Sequence, residues 1–109
     1  MSTLMKEAKK NLDNALEVIK NDTAYSGNVE LNKKLQLANK IITQNQKKIW
    51  LRAKTGKPMA EALLSTSKRL IELLQSSAEN TDLIQIIQEL EVQTKKLNEE
   101  SRRRSMVVT

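Results

Sequence analysis

The feature that most constrains the fold is a heptad spacing of apolar residues through the middle of the chain. Between Asn28 and Lys57 the spaced residues follow one another by alternating steps of four and three: Leu31, Leu35, Ala38, Ile42, Asn45 and Ile49. On an α-helix these steps keep every residue on one face, as at the a and d positions of a coiled coil. The spacing therefore predicts a long helix over residues 29–54 that buries one edge.

Three more stretches carry helical apolar periodicity, over residues 3–20, 58–77 and 82–104. Clusters of Asn, Asp, Ser and Gly predict loops at residues 21–28 and 76–81. The sharpest break is at residues 55–58, where Gly56 suits a left-handed helix end and Pro58 suits the first turn of a new helix. A connection this short predicts an antiparallel hairpin of the second and third helices.

Composition agrees with an all-α fold. The chain has 2 Gly, 1 Pro and 2% aromatic residues, so turns are few and the core must be built from Leu, Ile, Val, Met and Ala. We expect one helical domain over residues 1–104, with four amphipathic helices in an up-down-up-down bundle, and a flexible tail at residues 105–109. The bundle either closes on itself or is completed by oligomerisation or a partner helix.

A ridge of lysines accompanies the apolar stripe of the second helix. Lys33, Lys40, Lys47 and Lys54 recur at every seventh residue, at the position farthest from the stripe. The complete candidate basic contact surface is Lys33, Lys34, Lys40, Lys47, Lys48, Lys54 and Lys57. Such a surface can meet the phosphates of a nucleic acid or an acidic protein, or it can be an ordinary solvated face. Glu30 is the only acid within residues 29–57, which favours a role in binding because solvated faces usually mix both signs.

Trp50 lies within a second candidate site, a partner anchor formed by Ile49, Trp50, Leu51 and Arg52. The alternative is that Trp50 closes the core. Asn45 is a polar residue on the apolar stripe, where it can fix register and oligomeric state. The alternative for Asn45 is that the helix has left the core by that point.

Ser105 follows three arginines, Arg102, Arg103 and Arg104, which makes it a candidate phosphorylation site. The same arginines can contact nucleic acid, or they can simply stabilise the C-terminal turn of a helix.

Catalysis is not expected of this chain. It has no His and no Cys, which removes the commonest general base, the commonest metal ligands and the thiol nucleophile. We therefore expect no enzyme activity, no cofactor, no metal and no small-molecule substrate. No apolar run approaches the about 20 residues that span a bilayer, and the N-terminus lacks a secretory signal. The expectation is a soluble intracellular protein, cytoplasmic or nuclear.

The sequence is compatible with two functions. The first is a non-enzymatic protein–protein interaction module, such as an adaptor, assembly subunit or chaperone, which binds itself or another protein through amphipathic helices. The alternative is a nucleic-acid-binding or nucleic-acid-associated protein that uses the basic ridge of the second helix. The two differ in salt dependence, because phosphate contacts weaken steeply with ionic strength and apolar docking does not.

Overall fold

The computed structural model describes residues 3–22, 28–48, 51, 54, 56–76 and 79–107 of the chain. Its four helices are α1 (Thr3–Asn21), α2 (Val29–Asn45), α3 (Lys57–Gln75) and α4 (Asn80–Val107). The molecule is 48 Å long and 21 by 19 Å across. The predicted all-α bundle of four amphipathic helices is confirmed.

The apolar stripes of the four helices meet in one core. In α2 the buried apolar side chains are Leu31, Leu35, Ala38 and Ile42, as the heptad spacing predicts. The other helices contribute mainly Leu, Ile and Ala, together with Met5 at the start of α1. Isolated helices of this length are marginal in water, so the burial of these stripes is the main source of helix stability.

The helices alternate in direction along the chain. Asn39 in α2 donates a hydrogen bond of 2.8 Å to Asp13 in α1, while residues 32 and 36 lie beside residues 16 and 20. Lower residue numbers in α2 therefore lie beside higher residue numbers in α1, so the two helices are antiparallel. Helices α3 and α4 are antiparallel for the same reason, since Arg69 pairs with Glu89 while residues 76 and 82 line one groove. Helices α2 and α4 are parallel, from Lys34–Glu91 and the cleft that residues 31 and 87 share.

The order of the helices around the bundle differs from a simple sequential ring. In the described part of the chain, α1 packs against α2 and α3, and α4 packs against the same two helices. Helices α2 and α3 therefore lie on a diagonal, although they are consecutive in sequence. The described residues between them, 46–48, 51, 54 and 56, belong to the end of the bundle where α2 finishes and α3 begins, and we call them the crossing segment.

Helix α2 ends earlier than the sequence predicts. The prediction of a helix over residues 29–54 is wrong after Asn45, the last helical residue. The Asn45 side chain donates to the Ile41 carbonyl at 2.8 Å, a local side-chain bond of the kind that competes with the helical ladder. Backbone N–H groups of Lys48 and Leu51 then donate to carbonyls three residues earlier, at 3.1 and 3.3 Å. These tighter turns lead the chain off the axis of α2.

Two expectations about the start of α3 are also corrected. Gly56 has φ −100° and precedes α3, so it is not a left-handed residue at the end of α2. The predicted hairpin of the second and third helices is wrong, because these helices are diagonal and the hairpins are α1–α2 and α3–α4. Pro58 does lie in the first turn of α3, as expected. A backbone N–H in the first turn has no acceptor within the helix, so the absence of this group in proline breaks no helical hydrogen bond.

The remaining boundaries are close to the predicted ones, except at the C-terminus. Helix α4 continues to Val107, so residues 105–107 of the predicted flexible tail are helical, and residues 108–109 lie outside the described residues. At the start of α2, the Asn28 side chain caps the helix by accepting the Leu31 N–H at 3.1 Å.

Three hydroxyl side chains in the core form hydrogen bonds within their own helices. Thr66, Thr94 and Ser67 donate to backbone carbonyls one turn earlier, at 2.9, 2.9 and 2.7 Å. Ser67 also accepts a hydrogen bond of 3.1 Å from Asn11, which links α3 to α1. Buried hydroxyls therefore do not leave the core with unpaired donors at these positions.

We expect Leu51 to hold the crossing segment against the core. Its side chain is 1% exposed, so Leu51→Ala should lower the free energy of unfolding by about 2–5 kcal/mol through lost burial and a residual cavity. Urea unfolding followed by circular dichroism measures the loss. Leu37→Ala is the matched control, because Leu37 is 55% exposed and its truncation should change stability by less than about 0.5 kcal/mol. Equal effects of the two substitutions would contradict the packed crossing segment.

Candidate functional site

The outer face of α2 carries two of the predicted ridge lysines. Lys33 and Lys40 are exposed there, at the heptad position opposite the core. Lys34 has a different environment, since it pairs with Glu30 at 3.7 Å and with Glu91 of α4 at 3.5 Å. Lys34 therefore contributes to the α2–α4 contact more than to an open basic face.

The other predicted lysines lie at one end of the bundle. Lys47, Lys48 and Lys54 belong to the crossing segment, Lys57 is the first residue of α3, and all four are exposed. Because α2 ends at Asn45, these lysines do not continue the ridge along a helix. The structure instead gathers them where α2 finishes and α3 begins.

The C-terminal part of α4 brings arginines to the same end. Glu91 stands beside Lys34, so Arg102 stands beside Asn45, eleven residues further along each of two parallel helices. Residues 103–107 extend past the end of α2 by about 7 Å, at 1.5 Å per residue. We name as the basic end the exposed residues Lys47, Lys48, Lys54, Lys57, Arg102 and Arg103.

The sequence pattern does not predict this gathering. In the sequence the lysines and the three arginines are separate features, one along the second helix and one before the tail. The alternating apolar stripes predict up-down-up-down helices, and that topology places the end of the second helix and the end of the fourth at the same end of the bundle. The available signal was therefore the topology combined with charge, rather than charge along one helix.

Glu100 moderates the positive charge of the basic end. Its carboxylate accepts hydrogen bonds from Arg103 and, at 3.0 Å, from Arg104. The hydrogen bond from Arg103 is the largest effect and lowers the pKa of Glu100 below its usual value. Desolvation opposes it in part, and the charges of Arg103 and Arg104 add to the lowering. Glu100 therefore stays ionised at neutral pH and orients both guanidinium groups.

The predicted partner anchor is only partly within the described residues. Leu51 is buried in the core cluster, so its side chain is not on the surface, whereas Ile49, Trp50 and Arg52 lie outside the described residues. Asn45 is 3% exposed at the end of α2, so the helix has not left the core at this residue. Ser105 lies in α4 next to the basic end, and its side chain lies outside the described part of the structure.

The two ends of the bundle differ in charge. At the basic end, described residues 3–7, 45–61 and 99–107 hold eight lysines and arginines and four acids. At the opposite end, described residues 20–31 and 72–83 hold Lys20 and five acids. The charge of the molecule is thus separated along its 48 Å axis.

The described ranges do not contain the features of a metal site or of a membrane-spanning helix. No group of three or more potential ligands is arranged there to hold a metal ion, and none of the described helices combines the length and apolar character needed to cross a bilayer. No known protein family, curated protein or solved structure matches this chain.

We expect the pKa of Glu100 to depend on Arg103. Arg103→Ala should raise this pKa toward the ordinary carboxyl value of about 4.3, because the largest contribution to the lowering is removed. A pH titration of the Glu100 side-chain carboxyl carbon by NMR measures the midpoint. Since the folded-state pKa is below the unfolded value, the pairing stabilises the end of α4 above the unfolded pKa and is lost as pH falls through the folded pKa.

Arg102→Ala is the control for this titration, because the hydrogen bonds to Glu100 come from Arg103 and Arg104. The control should leave the midpoint where it is in the unmodified protein. An Arg103→Ala midpoint equal to that of the control would contradict the ion pair.

Proposed function

We propose that this protein is a non-enzymatic binding protein that attaches through its basic end to the phosphate backbone of a nucleic acid. The observation that carries the proposal is the convergence of six exposed basic side chains from three parts of the chain at one end. Such a cluster attracts a polyanion, and contact with phosphates releases condensed counterions from the nucleic acid.

The size of the basic end fits a short stretch of backbone. The bundle is 21 by 19 Å across, and successive phosphates of one duplex strand rise by about 3.4 Å. An end-on contact therefore faces about six phosphates, similar in number to the basic side chains present. Binding of this kind is of modest strength and depends strongly on salt.

The chemistry of the basic end favours contact without sequence preference. Four of its six residues are lysines, which bind phosphate as point charges and lack the planar fork of arginine. Sequence-specific base contacts rely mainly on bidentate Arg, Asn and Gln side chains within a groove. We expect the protein to distinguish nucleic acids by charge density more than by base sequence.

A second candidate is the protein–protein module that the sequence placed first, in the role of adaptor, assembly subunit or chaperone. One observation favours it, a cleft of about 190 Å³ between the first turns of α2 and α4. Ile84 lies on this cleft and is 46% exposed. The geometry supports this candidate less well, because the four apolar stripes already cover one another in the core.

The test is fluorescence anisotropy of a labelled random-sequence DNA duplex titrated with the protein over a series of salt concentrations. We expect binding that weakens steeply with salt. The triple variant Lys48→Glu, Lys54→Glu, Lys57→Glu should bind at least about tenfold more weakly and should reduce the slope of log K against log salt by about three, one for each lost phosphate contact.

The control is a second triple variant, Lys20→Glu, Lys33→Glu, Lys40→Glu. It changes the net charge by the same amount, at residues outside the basic end. All three residues are exposed, so both triple variants should fold. The control should keep most of the affinity and most of the salt slope. Equal losses of affinity in both variants would show attraction by net charge alone and would contradict a basic-end site. If the unmodified protein did not bind at low salt, the nucleic-acid function would be excluded.

A further inference from the structure

The end of the bundle opposite the basic end is an acidic surface. We name as the acidic end the exposed residues Glu30, Glu72, Glu79 and Asp82. Glu72 lies in the last turns of α3, Glu79 and Asp82 lie at the start of α4, and Glu30 lies in the first turn of α2. By itself such a surface would be merely solvated. Its significance comes from the oppositely charged surface that the same chain carries at its other end.

The acidic end is also concave. Helices α3 and α4 enclose a groove of about 550 Å³ beside Glu72 and Asp82, and Leu73 and Ile86 also line it. Arg69, further along the groove, is paired with Glu89 at 3.2 Å, so its charge is offset within the molecule. The basic end, in contrast, projects, because α4 extends past the end of α2.

From these complementary ends we infer that the protein associates head to tail, with the basic end of one copy docked on the acidic end of a second copy. The projecting end of α4, with Arg102 and Arg103, fits the concave α3–α4 groove in shape and in charge. Complementary potentials of this kind orient an encounter and fix its geometry. The contact is heterologous, so each added copy leaves one basic and one acidic end open for the next.

Charge also decides against other arrangements. The chain has a formal net charge of +6, so two copies in random orientation repel each other. Basic ends placed together, or acidic ends placed together, add to this repulsion. Among end-to-end contacts, head-to-tail docking is the one that brings opposite charges together, so the second copy is oriented by electrostatics before contact forms.

This inference uses the basic end but does not depend on the proposed function. A nucleic acid and a second copy would compete for the basic end, whereas the acidic end takes part only in self-association. Variants of the acidic end therefore separate the two activities.

The experiment is sedimentation equilibrium of the full chain, 12.4 kDa as a monomer, at two ionic strengths. At about 0.01 M salt, where the Debye length is about 30 Å, the weight-average mass should rise about twofold or more with protein concentration. At about 1 M salt, where that length is about 3 Å, it should return to the monomer mass. A monomer at both ionic strengths up to the highest protein concentration would overturn the inference.

Two complementary variants test the geometry. Lys48→Glu, Lys54→Glu, Lys57→Glu makes both ends acidic, and Glu72→Lys, Glu79→Lys, Asp82→Lys makes both ends basic. Each variant alone should remain monomeric at low salt, and an equimolar mixture should regain the mass increase. Circular dichroism checks that both are folded, since lysines at the start of α4 oppose its helix dipole. Self-association by either variant alone, or a mixture that stays monomeric, would overturn head-to-tail docking.

DNA binding by the same variants keeps the two proposals apart. The variant with reversed acidic residues should lose self-association and bind the DNA duplex at least as tightly as the unmodified protein. Self-association without DNA binding would remove the proposed function and leave head-to-tail docking in place. DNA binding by a protein that stays monomeric would remove head-to-tail docking and leave the proposed function in place.

Discussion

The end of α2 at Asn45 determines how the rest of the bundle is arranged. The side-chain amide of Asn45 donates to the Ile41 carbonyl, and the turns that follow at Lys48 and Leu51 are tighter than those of an α-helix. Had α2 continued for two more turns, its lysines would extend along the helix axis and α3 could pack beside it as a hairpin. Instead α2 and α3 are diagonal, α2 and α4 are parallel neighbours, and the end of α4 lies beside the crossing segment.

The crossing segment contributes both a side chain to the core and charged side chains to the surface. Leu51 packs into the core while Lys48 and Lys54, three residues to either side, remain exposed. The buried leucine fixes the position of the segment, and the segment in turn fixes where its lysines stand relative to the end of α4. Apolar packing of Leu51 thus supports the exposed Lys48 and Lys54, so their charges lie on a defined part of the basic end.

Much of the fold could be predicted from sequence because it depends on local periodicity. The spacing of Leu31, Leu35, Ala38 and Ile42 sets a helix and its buried face with little reference to the rest of the chain. The end of α2 could not be predicted this way, because Asn45 and Ile49 continue the same spacing and the lysines between them favour helix. Which helices become neighbours depends on tertiary packing, so the basic end, which needs that information, was seen only as two unrelated clusters.

The alternating directions of the helices have an electrical consequence. Each end of the bundle contains two helix N-termini and two helix C-termini, so the helix macrodipoles largely cancel along the axis. The axial asymmetry of charge therefore comes from side chains alone and gives the molecule a permanent electric moment along its length. In the field of a large anion such a molecule experiences a torque that turns the basic end forward, which shortens the rotational search before collision. Exposed substitutions can strengthen, weaken or invert that moment without altering the buried stripes that maintain the fold.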